Sequence, residues 1–221
     1  IEGHDACRKI CILASLCFGK HVYPESVHTE GITKVTLSDV AYVNNLGGVI
    51  KLIGRAKRLG NGKISAVVSP CVVMTSSQLA NVSDVFNAIL VRGDAIGDVV
   101  FYGRGAGKLP TASAVVADVI DCAKHTNRKK IFGWGPSEDG YVVDYEELDT
   151  ALFVRATADD VEKAKAAVEK VFGTVKFVSR DNQPENEFAF VTDNEKEKEL
   201  VAKLDSISEI KPCSVIRVSD Y

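Results

Sequence analysis

The chain has 221 residues, which is enough for one large domain or two small ones. Its hydrophobic content of 46% supports a folded core, while its net charge of −3 gives no electrostatic argument for binding nucleic acid or an anionic membrane. The apolar runs are too short to span a bilayer, and the first residues lack the pattern of a signal peptide. We expect a cytoplasmic protein without a membrane partner, and the missing initiator Met indicates a piece of a longer polypeptide.

Local patterns predict a buried helix and two β-hairpins in the first half of the chain. Apolar residues recur at helical spacing over residues 5–18, and Gly19 ends this helix. Ser38 is a candidate N-cap for a second helix. The first hairpin turns at Gly60-Asn61-Gly62, and Pro70 is expected to break its second strand. The strands of the two hairpins are predicted at residues 49–59, 63–74, 86–92 and 97–102.

A glycine-rich loop joins the second hairpin to a predicted helix at residues 110–124. Gly103, Gly105 and Gly107 alternate there with short or flexible residues. Such a loop lets backbone N–H groups approach a ligand closely, and the following helix N-terminus adds a partial positive charge. The loop therefore suits a phosphate or the polar edge of a nucleotide, although a tight strand-to-helix turn without a ligand fits the same spacing.

The C-terminal part of the chain has the pattern of a small α/β unit. Its elements follow in the order β-α-β-β-α-β, which is the ferredoxin-like plan. They are predicted at residues 151–156, 159–172, 175–179, 187–192, 194–204 and 214–218. The segment before them shows little periodicity and holds several glycines and a proline, which is typical of a linker.

Two separated segments resemble one enzyme family. The glycine-rich loop, with Asn87-Ala88-Ile89 before it and residues 114–118 after it, resembles the C-terminal part of the homoserine dehydrogenase catalytic region. The segment Gly3-His4-Asp5-Ala6-Cys7-Arg8-Lys9-Ile10 resembles the substrate-site helix of the same family. Because the two motifs occur in the family's order, the resemblance covers the first half of the chain.

The resemblance implies an α+β fold class in three parts. Residues 1–125 are expected to form the catalytic, substrate-binding and dimerisation region, a sheet covered by helices. Residues 126–148 are expected to be a linker. Residues 149–221 are expected to form a ferredoxin-like βαββαβ domain of the ACT type, a small regulatory module. The family's nucleotide-binding domain is expected before Ile1.

Asp5 and Lys9 are the candidate chemical pair. They lie four residues apart, which puts a carboxylate and an ammonium on one face of the first predicted helix. Taken alone, this spacing is typical of a solvent-exposed ion pair. The resemblance implies that Lys9 is the catalytic acid and base and that Asp5 binds or positions the substrate.

The resemblance also implies the reaction and the cofactor. The expected reaction is the NAD(P)-dependent interconversion of L-aspartate 4-semialdehyde and L-homoserine, on the route to threonine and methionine. Gly107 and Gly105 are the residues expected to contact the cofactor, NADP or NAD, which the domain before Ile1 would mostly bind. The present chain is therefore expected to be inactive by itself.

Two alternatives remain open at the level of sequence. The C-terminal segment fits an amino-acid-binding regulatory module, with threonine as a candidate effector. The whole chain also fits a dimerisation module without activity of its own, and the family resemblance implies a homodimer or a higher homo-oligomer. A threonine titration and a sedimentation experiment distinguish these alternatives.

The cysteines and histidines do not form a metal-binding pattern. The six cysteines lack any CxxC pair, and the nearby histidines complete no four-ligand zinc motif. Most of the cysteines lie in apolar surroundings, so we expect free, mostly buried thiols in a reducing compartment. They are Cys7, Cys11, Cys17, Cys71, Cys122 and Cys213.

Overall fold

The computed structural model describes residues 1–129 and 131–220. Lys130, within the predicted linker, and Tyr221, at the end of the predicted C-terminal domain, lie outside the described residues. The chain divides into two compact units. The first unit combines residues 1–74 with those from Gly133 onward, and the second unit holds residues 75–132.

The described ranges contain five α-helices and eleven strands. The helices are α1 (His4–Phe18), α2 (Leu37–Leu46), α3 (Lys108–Lys124), α4 (Val161–Phe172) and α5 (Glu197–Asp205). The strands are β1 (His28–Thr29), β2 (Gly48–Arg58), β3 (Ile64–Met74), β4 (Phe86–Gly93), β5 (Gly97–Arg104), β6 (Val142–Val143), β7 (Asp149–Thr157), β8 (Lys176–Val178), β9 (Glu187–Val191), β10 (Glu195–Lys196) and β11 (Lys211–Val218). Only α3, β4 and β5 belong to the second unit.

A nine-stranded sheet runs through the first unit, and β3 is its central strand. Along one edge, β3 pairs with β2 in an antiparallel hairpin over the whole length of both strands. Along the other edge, β3 pairs in parallel with β6, β1 and β11 in turn. From β11 the sheet continues through β7, β9 and β8, each antiparallel to its neighbour.

Both predicted hairpins are confirmed, but Pro70 does not break the second strand of the first hairpin. It pairs with Leu52 inside β3. On the other edge of β3, Val68 pairs with β1 and Cys71 pairs with β11, so Pro70 lies in the gap between these two partners. Proline has no N–H to donate, and such an interruption of the ladder tolerates it.

Capping signals mark the end of α1 and the start of α2. Helix α1 ends at Gly19, as predicted, because this glycine takes a left-handed conformation with φ 83°. The N-cap of α2 is Thr36 rather than the predicted Ser38. The Thr36 hydroxyl accepts from the backbone N–H of Asp39, and the Asp39 carboxylate accepts from the backbone N–H of Thr36. This reciprocal arrangement is a capping box.

Helices cover both faces of the sheet. Successive residues of β7 point to opposite faces, so they belong to two different cores. The core on the side of α4 and α5 contains Leu152, Val154, Phe188, Phe190 and Leu200. The core on the side of α2 contains Tyr42, Phe153, Ala189 and Ile216. Helix α1 packs against β2 and β3 through a third core that contains Ile10, Ala14, Ile64 and Val68.

A buried ion network joins α2 to β7 and β9. Arg155 donates to the carboxylates of Asp39 at 2.7 Å and Glu187 at 2.8 Å. Arg180 donates to the other oxygen of Glu187 at 2.7 Å. Burial raises the pKa of both carboxyl groups, but the hydrogen bonds and charges of the arginines outweigh it, so both pKa values lie below their usual range.

The compact units do not follow the predicted division of the chain at 125 and 149. Arg217 and Val218 of β11 pair with Cys71 and Val72 of β3, so the C-terminal strands share one sheet with the first part of the chain. Residues 133–148 of the predicted linker also pack into this unit, where β6 pairs with β3 and Tyr141 is buried. The C-terminal elements occur in the predicted order, with the short β10 added.

The second unit buries far fewer apolar side chains. Strands β4 and β5 form a two-stranded sheet, and α3 follows directly. None of the residues of α3 is buried. Its most exposed large apolar side chains are Leu109, Val115, Val116, Val119 and Ile120.

Candidate active site

Helix α1 presents one apolar face to the sheet and one polar face to the outside. Its buried residues are Cys7, Ile10, Cys11, Ala14 and Ser15. Gly54 of β2 allows the close approach, because an added Cβ there would lie 3.2 Å from the Cβ of Ile10. Asp5 and Lys9 lie on the outward face. The structure therefore holds the polar pair on a helix whose own position is fixed by packing.

The predicted pair forms in the structure. The Nζ atom of Lys9 lies 2.8 Å from Oδ2 of Asp5, and their side chains are 59% and 83% exposed. The hydrogen bond from Lys9 and its positive charge lower the pKa of Asp5, which therefore stays ionised at neutral pH. An exposed pair adds little to stability. Its chemical value lies in offering an oriented ammonium and a carboxylate acceptor side by side.

The glycine-rich loop places its glycines where side chains would not fit or would be strained. The backbone N–H of Gly105 donates to the carbonyl of Val85 at 3.0 Å. An added Cβ at Gly105 would lie 2.1 Å from the amide nitrogen of Asn87, so any side chain there would require the Asn87 side chain to move. Gly107 has φ 120°, a conformation that L side chains rarely adopt.

Gly107 is the N-cap of α3, and the helix start has no side-chain cap. An open depression of about 690 Å³ lies at this end of the helix. It is lined by Arg104, Ala106, Gly107, Lys108, Leu109, Pro110 and Ser113. Two basic side chains and an uncapped helix N-terminus form a donor set that suits the pyrophosphate of a dinucleotide. The residues present therefore fit the anionic part of NAD(P).

The predicted site residues fall into two groups. Asp5 and Lys9 lie together on α1 in the first unit, and Gly105 and Gly107 lie together in the second unit. Over residues 1–129 and 131–220, no cluster of three or more potential ligands is arranged to hold a metal ion. In the same ranges, no helix is long and apolar enough to cross a membrane.

The cysteines are less buried than the sequence predicts. All six are free thiols, but Cys17, Cys122 and Cys213 are exposed, because the segments that carry them lie on the surface. Only Cys7 and Cys11 are buried. Burial raises the pKa of Cys11 to about 12, so this thiol stays protonated and is a poor nucleophile at neutral pH.

Sequence reasoning missed the residues that seat the start of α1. Gly31 lies against the backbone of Ile1 and Glu2, where an added Cβ would approach to 2.5 Å. Arg217 and Glu30 form an ion pair beside this contact. No local pattern could have found these residues, because they are far apart in sequence. Gly31 is visible in the sequence as a lone glycine, but a lone glycine does not identify the residues that it contacts.

Comparisons with known proteins agree on one family. The family model for homoserine dehydrogenase matches residues 1–120. The homoserine dehydrogenase of Pseudomonas aeruginosa is 38% identical over 167 residues, which cover 72% of this chain and 38% of the relative. The homoserine dehydrogenase of Synechocystis is 48% identical over 124 residues, which cover 55% of this chain and 29% of the relative.

Solved structures extend the similarity to the whole chain. The crystal structure of a homoserine dehydrogenase from Thiobacillus denitrificans matches with a TM-score of 0.79 and 30% identity. The match covers 100% of this chain and 54% of that chain. A homoserine dehydrogenase from S. aureus matches with a TM-score of 0.76, again over 54% of its chain. The present chain thus spans about half the length of these solved relatives.

Proposed function

Because the chain belongs to the homoserine dehydrogenase family, we propose that the longer protein interconverts L-aspartate 4-semialdehyde and L-homoserine with NADP or NAD. The observation that carries the proposal is the oriented Asp5–Lys9 pair, which lies within the residues that match the family model. The present chain holds only part of such a site. We therefore expect turnover from the longer protein and none from this chain alone.

Lys9 is proposed as the acid and base of the reaction. The nicotinamide cofactor, when bound, supplies the hydride chemistry. As negative charge develops on the aldehyde oxygen of the substrate, the Lys9 ammonium stabilises it and delivers a proton to that oxygen. In the opposite direction, the neutral Lys9 amine accepts the proton of the homoserine hydroxyl group.

Asp5 is proposed to orient Lys9 and to bind the substrate. Its carboxylate accepts a hydrogen bond from the Lys9 ammonium at 2.8 Å, which restricts a long and otherwise mobile side chain. Both substrates carry an α-ammonium group, and an ionised carboxylate on the same face is a suitable acceptor for it.

Gly105 and Gly107 are proposed to contact the cofactor. The absence of a side chain at Gly107 leaves the backbone N–H groups at the start of α3 accessible to a phosphate, and Gly105 lies in the loop just before them. Arg104 and Lys108 line the same depression and supply positive charge. The remaining contacts to NADP or NAD are assigned to the part of the longer protein that this chain does not include.

The exposed apolar side of α3 is proposed to contact that remaining part. The argument is one of length, since the chain spans 54% of the solved relatives and half of the polypeptide remains to cover this surface. We also propose that the longer protein is a homodimer, as the family resemblance implies. Sedimentation velocity tests both ideas. If this chain alone forms a dimer that Val119→Lys dissociates, the partner of α3 is a second copy and not the remaining part of the protein. The same measurement on the longer protein gives its oligomeric state.

A regulatory role for residues 149–221 is the second proposal. It is supported by the strand order β11-β7-β9-β8 with two helices on one face, the arrangement of a ferredoxin-like ACT-type module. A depression of about 700 Å³ lies where α4 begins, beside Asp159, Gln183 and Asn186. Calorimetry with threonine tests this proposal, and the absence of heat at millimolar threonine would contradict it.

The main proposal is tested by an activity assay. The longer protein is incubated with homoserine and either NAD or NADP, and formation of the reduced cofactor is followed by absorbance. Homoserine-dependent reduction supports the proposal, whereas a folded longer protein that reduces neither cofactor overturns it. The present chain serves as the matched control that lacks part of the site.

A further inference from the structure

The first turn of α1, which carries Asp5, is seated against residues 29–32. Gly3 is the N-cap of α1 and has φ 83°. An added Cβ at Gly3 would lie 3.0 Å from Cγ2 of Thr29 and 3.1 Å from the carbonyl oxygen of Glu30. The start of the helix therefore touches this segment with no space between them.

A second contact ties the residues before α1 to the same segment. The backbone N–H of Ile32 donates to the carbonyl of Ile1 at 3.0 Å. At Gly31, an added Cβ would lie 2.5 Å from the same carbonyl oxygen and 2.6 Å from the Cα of Glu2. Backbone packs directly on backbone here, so a shift of residues 29–32 would move the start of α1 as well.

An ion pair from the last strand holds this segment. Arg217 of β11 donates through Nη1 to Oε1 of Glu30 at 2.8 Å. The same guanidinium donates twice to Glu197 of α5, at 2.7 Å and 2.6 Å, and its side chain is only 13% exposed. Because the bidentate contact with Glu197 fixes the plane of the guanidinium, Arg217 holds the Glu30 carboxylate from the C-terminal segment. His28 binds the same carboxylate oxygen at 2.6 Å, and the backbone N–H of Glu30 donates to the carbonyl of Val68 at 2.8 Å.

The charges of this cluster are stable at neutral pH. Burial raises the pKa of Glu30, but the Arg217 charge and hydrogen bonds from His28 and Arg217 lower it by more. Burial lowers the pKa of Arg217, but Glu197 and Glu30 raise it above its ordinary value. Both partners are therefore ionised when the protein works near neutral pH.

We propose that Arg217 is a positioning residue for the substrate-site helix and acts on Asp5 through Glu30 and the backbone of Gly3. The kinetic part of this inference rests on the proposed function, since it takes Asp5 and Lys9 as substrate-contacting groups. On this proposal, the C-terminal segment influences the position of α1 through the Arg217–Glu30 contact, whether or not that segment binds a ligand.

Amide hydrogen exchange on the present chain tests the link without any need for activity. The variant is Glu30→Gln, and the matched control is Glu147→Gln, because the two glutamate side chains are 39% and 42% exposed and both are ion-paired. The N–H of Cys7 donates to the carbonyl of Gly3 at 2.8 Å and reports on the first turn of α1. We expect its exchange to be about fivefold faster in Glu30→Gln and unchanged in Glu147→Gln.

Arg217→Gln and the variant that carries both substitutions complete a double-mutant cycle with Glu30→Gln. If the link runs through this ion pair, Arg217→Gln accelerates the same amide, and adding Glu30→Gln to Arg217→Gln accelerates it no further. Exchange of the Cys7 amide at the wild-type rate in Glu30→Gln would overturn the proposal. Should Arg217→Gln fail to fold, the half-exposed Glu30 position still gives a decisive result.

Kinetics of the longer protein give the second readout. Glu30→Gln is expected to raise the KM for homoserine about threefold to tenfold, with the KM for the dinucleotide unchanged, because only the substrate part of the site moves. A homoserine KM equal to that of Glu147→Gln would contradict the positioning role. If the unmodified longer protein oxidises no homoserine, the proposed function fails, while the exchange experiment still decides the positioning role.

Discussion

Helices α1 and α3 carry the two parts of the proposed site, and they are packed in opposite ways. Helix α1 buries a full apolar face against β2 and β3 and leaves Asp5 and Lys9 on the outside. Helix α3 buries none of its residues, and Val119 is 61% exposed. On our proposal, packing within this chain fixes the helix that carries the substrate-contacting pair, whereas the cofactor part depends on a surface supplied by the rest of the longer protein.

The largest expected effect tests the polar face of α1. In the longer protein, Lys9→Ala should lower kcat by about 100-fold to 10,000-fold, because it removes the group that transfers the proton. Dinucleotide affinity, measured by fluorescence titration, should not change. Arg8→Ala is the matched control, since Arg8 is an exposed cation next to Lys9 on another face of the helix. Full turnover by Lys9→Ala would refute the catalytic assignment.

A second variant tests how firmly the first unit is held together. Arg155→Met leaves the buried carboxylates of Asp39 and Glu187 without their shared partner. It should lower the free energy of unfolding by about 3–5 kcal/mol in urea, followed by the fluorescence of Trp134 in the same unit. The control is Lys165→Met, which breaks a surface pair with Glu162 and should cost at most about 1 kcal/mol. Equal losses of unfolding free energy in the two variants would show that the buried network stabilises the fold no more than a surface ion pair does.

Acid should act on the same network, with an effect no larger than that of Arg155→Met. The pKa values of Asp39 and Glu187 are lower in the folded state than their ordinary values of 3.8 and 4.5. The unfolded state therefore takes up protons first as the pH falls, and stability is lost below these ordinary values. Urea titrations from neutral pH downward measure this slope. Arg155→Met should flatten it, and an unchanged slope would place the acid sensitivity elsewhere.

Local features of the fold were readable from the sequence because their causes are local. The apolar spacing of α1 ends at Gly19, and the β2–β3 hairpin turns at Gly60-Asn61-Gly62, so each element carries its own start and stop signals. The N-cap of α2 was also readable. Thr36 and Asp39 have the three-residue spacing of a capping box, which is a stronger signal than the isolated Ser38.

The missed features depend on contacts between distant parts of the chain. β11 joins β3 through only two residue pairs, and no local pattern marks Arg217 as the partner of Cys71. The same pairing merges the predicted C-terminal domain with the first part of the chain. At the site, Asp5 and Lys9 were predicted from their spacing and the family resemblance. The contacts of residues 29–32 with Ile1, Glu2 and Gly3, just before α1, could not be predicted, because they form only when the chain folds.

The smallest expected effect is that of Val119→Ala on α3, which is compared with a substitution on the buried face of α1. Ile10→Ala on the buried face of α1 should cost about 2–5 kcal/mol of unfolding free energy, because it leaves a cavity in a packed core. Val119→Ala on α3 should change the stability of this chain by less than about 0.5 kcal/mol, measured by circular dichroism in urea. In the longer protein, Val119→Ala should cost about 1–2 kcal/mol, because the side chain is then buried by the rest of the polypeptide. If Val119→Ala is as neutral there as it is here, α3 remains exposed in the longer protein and the proposed contact is wrong.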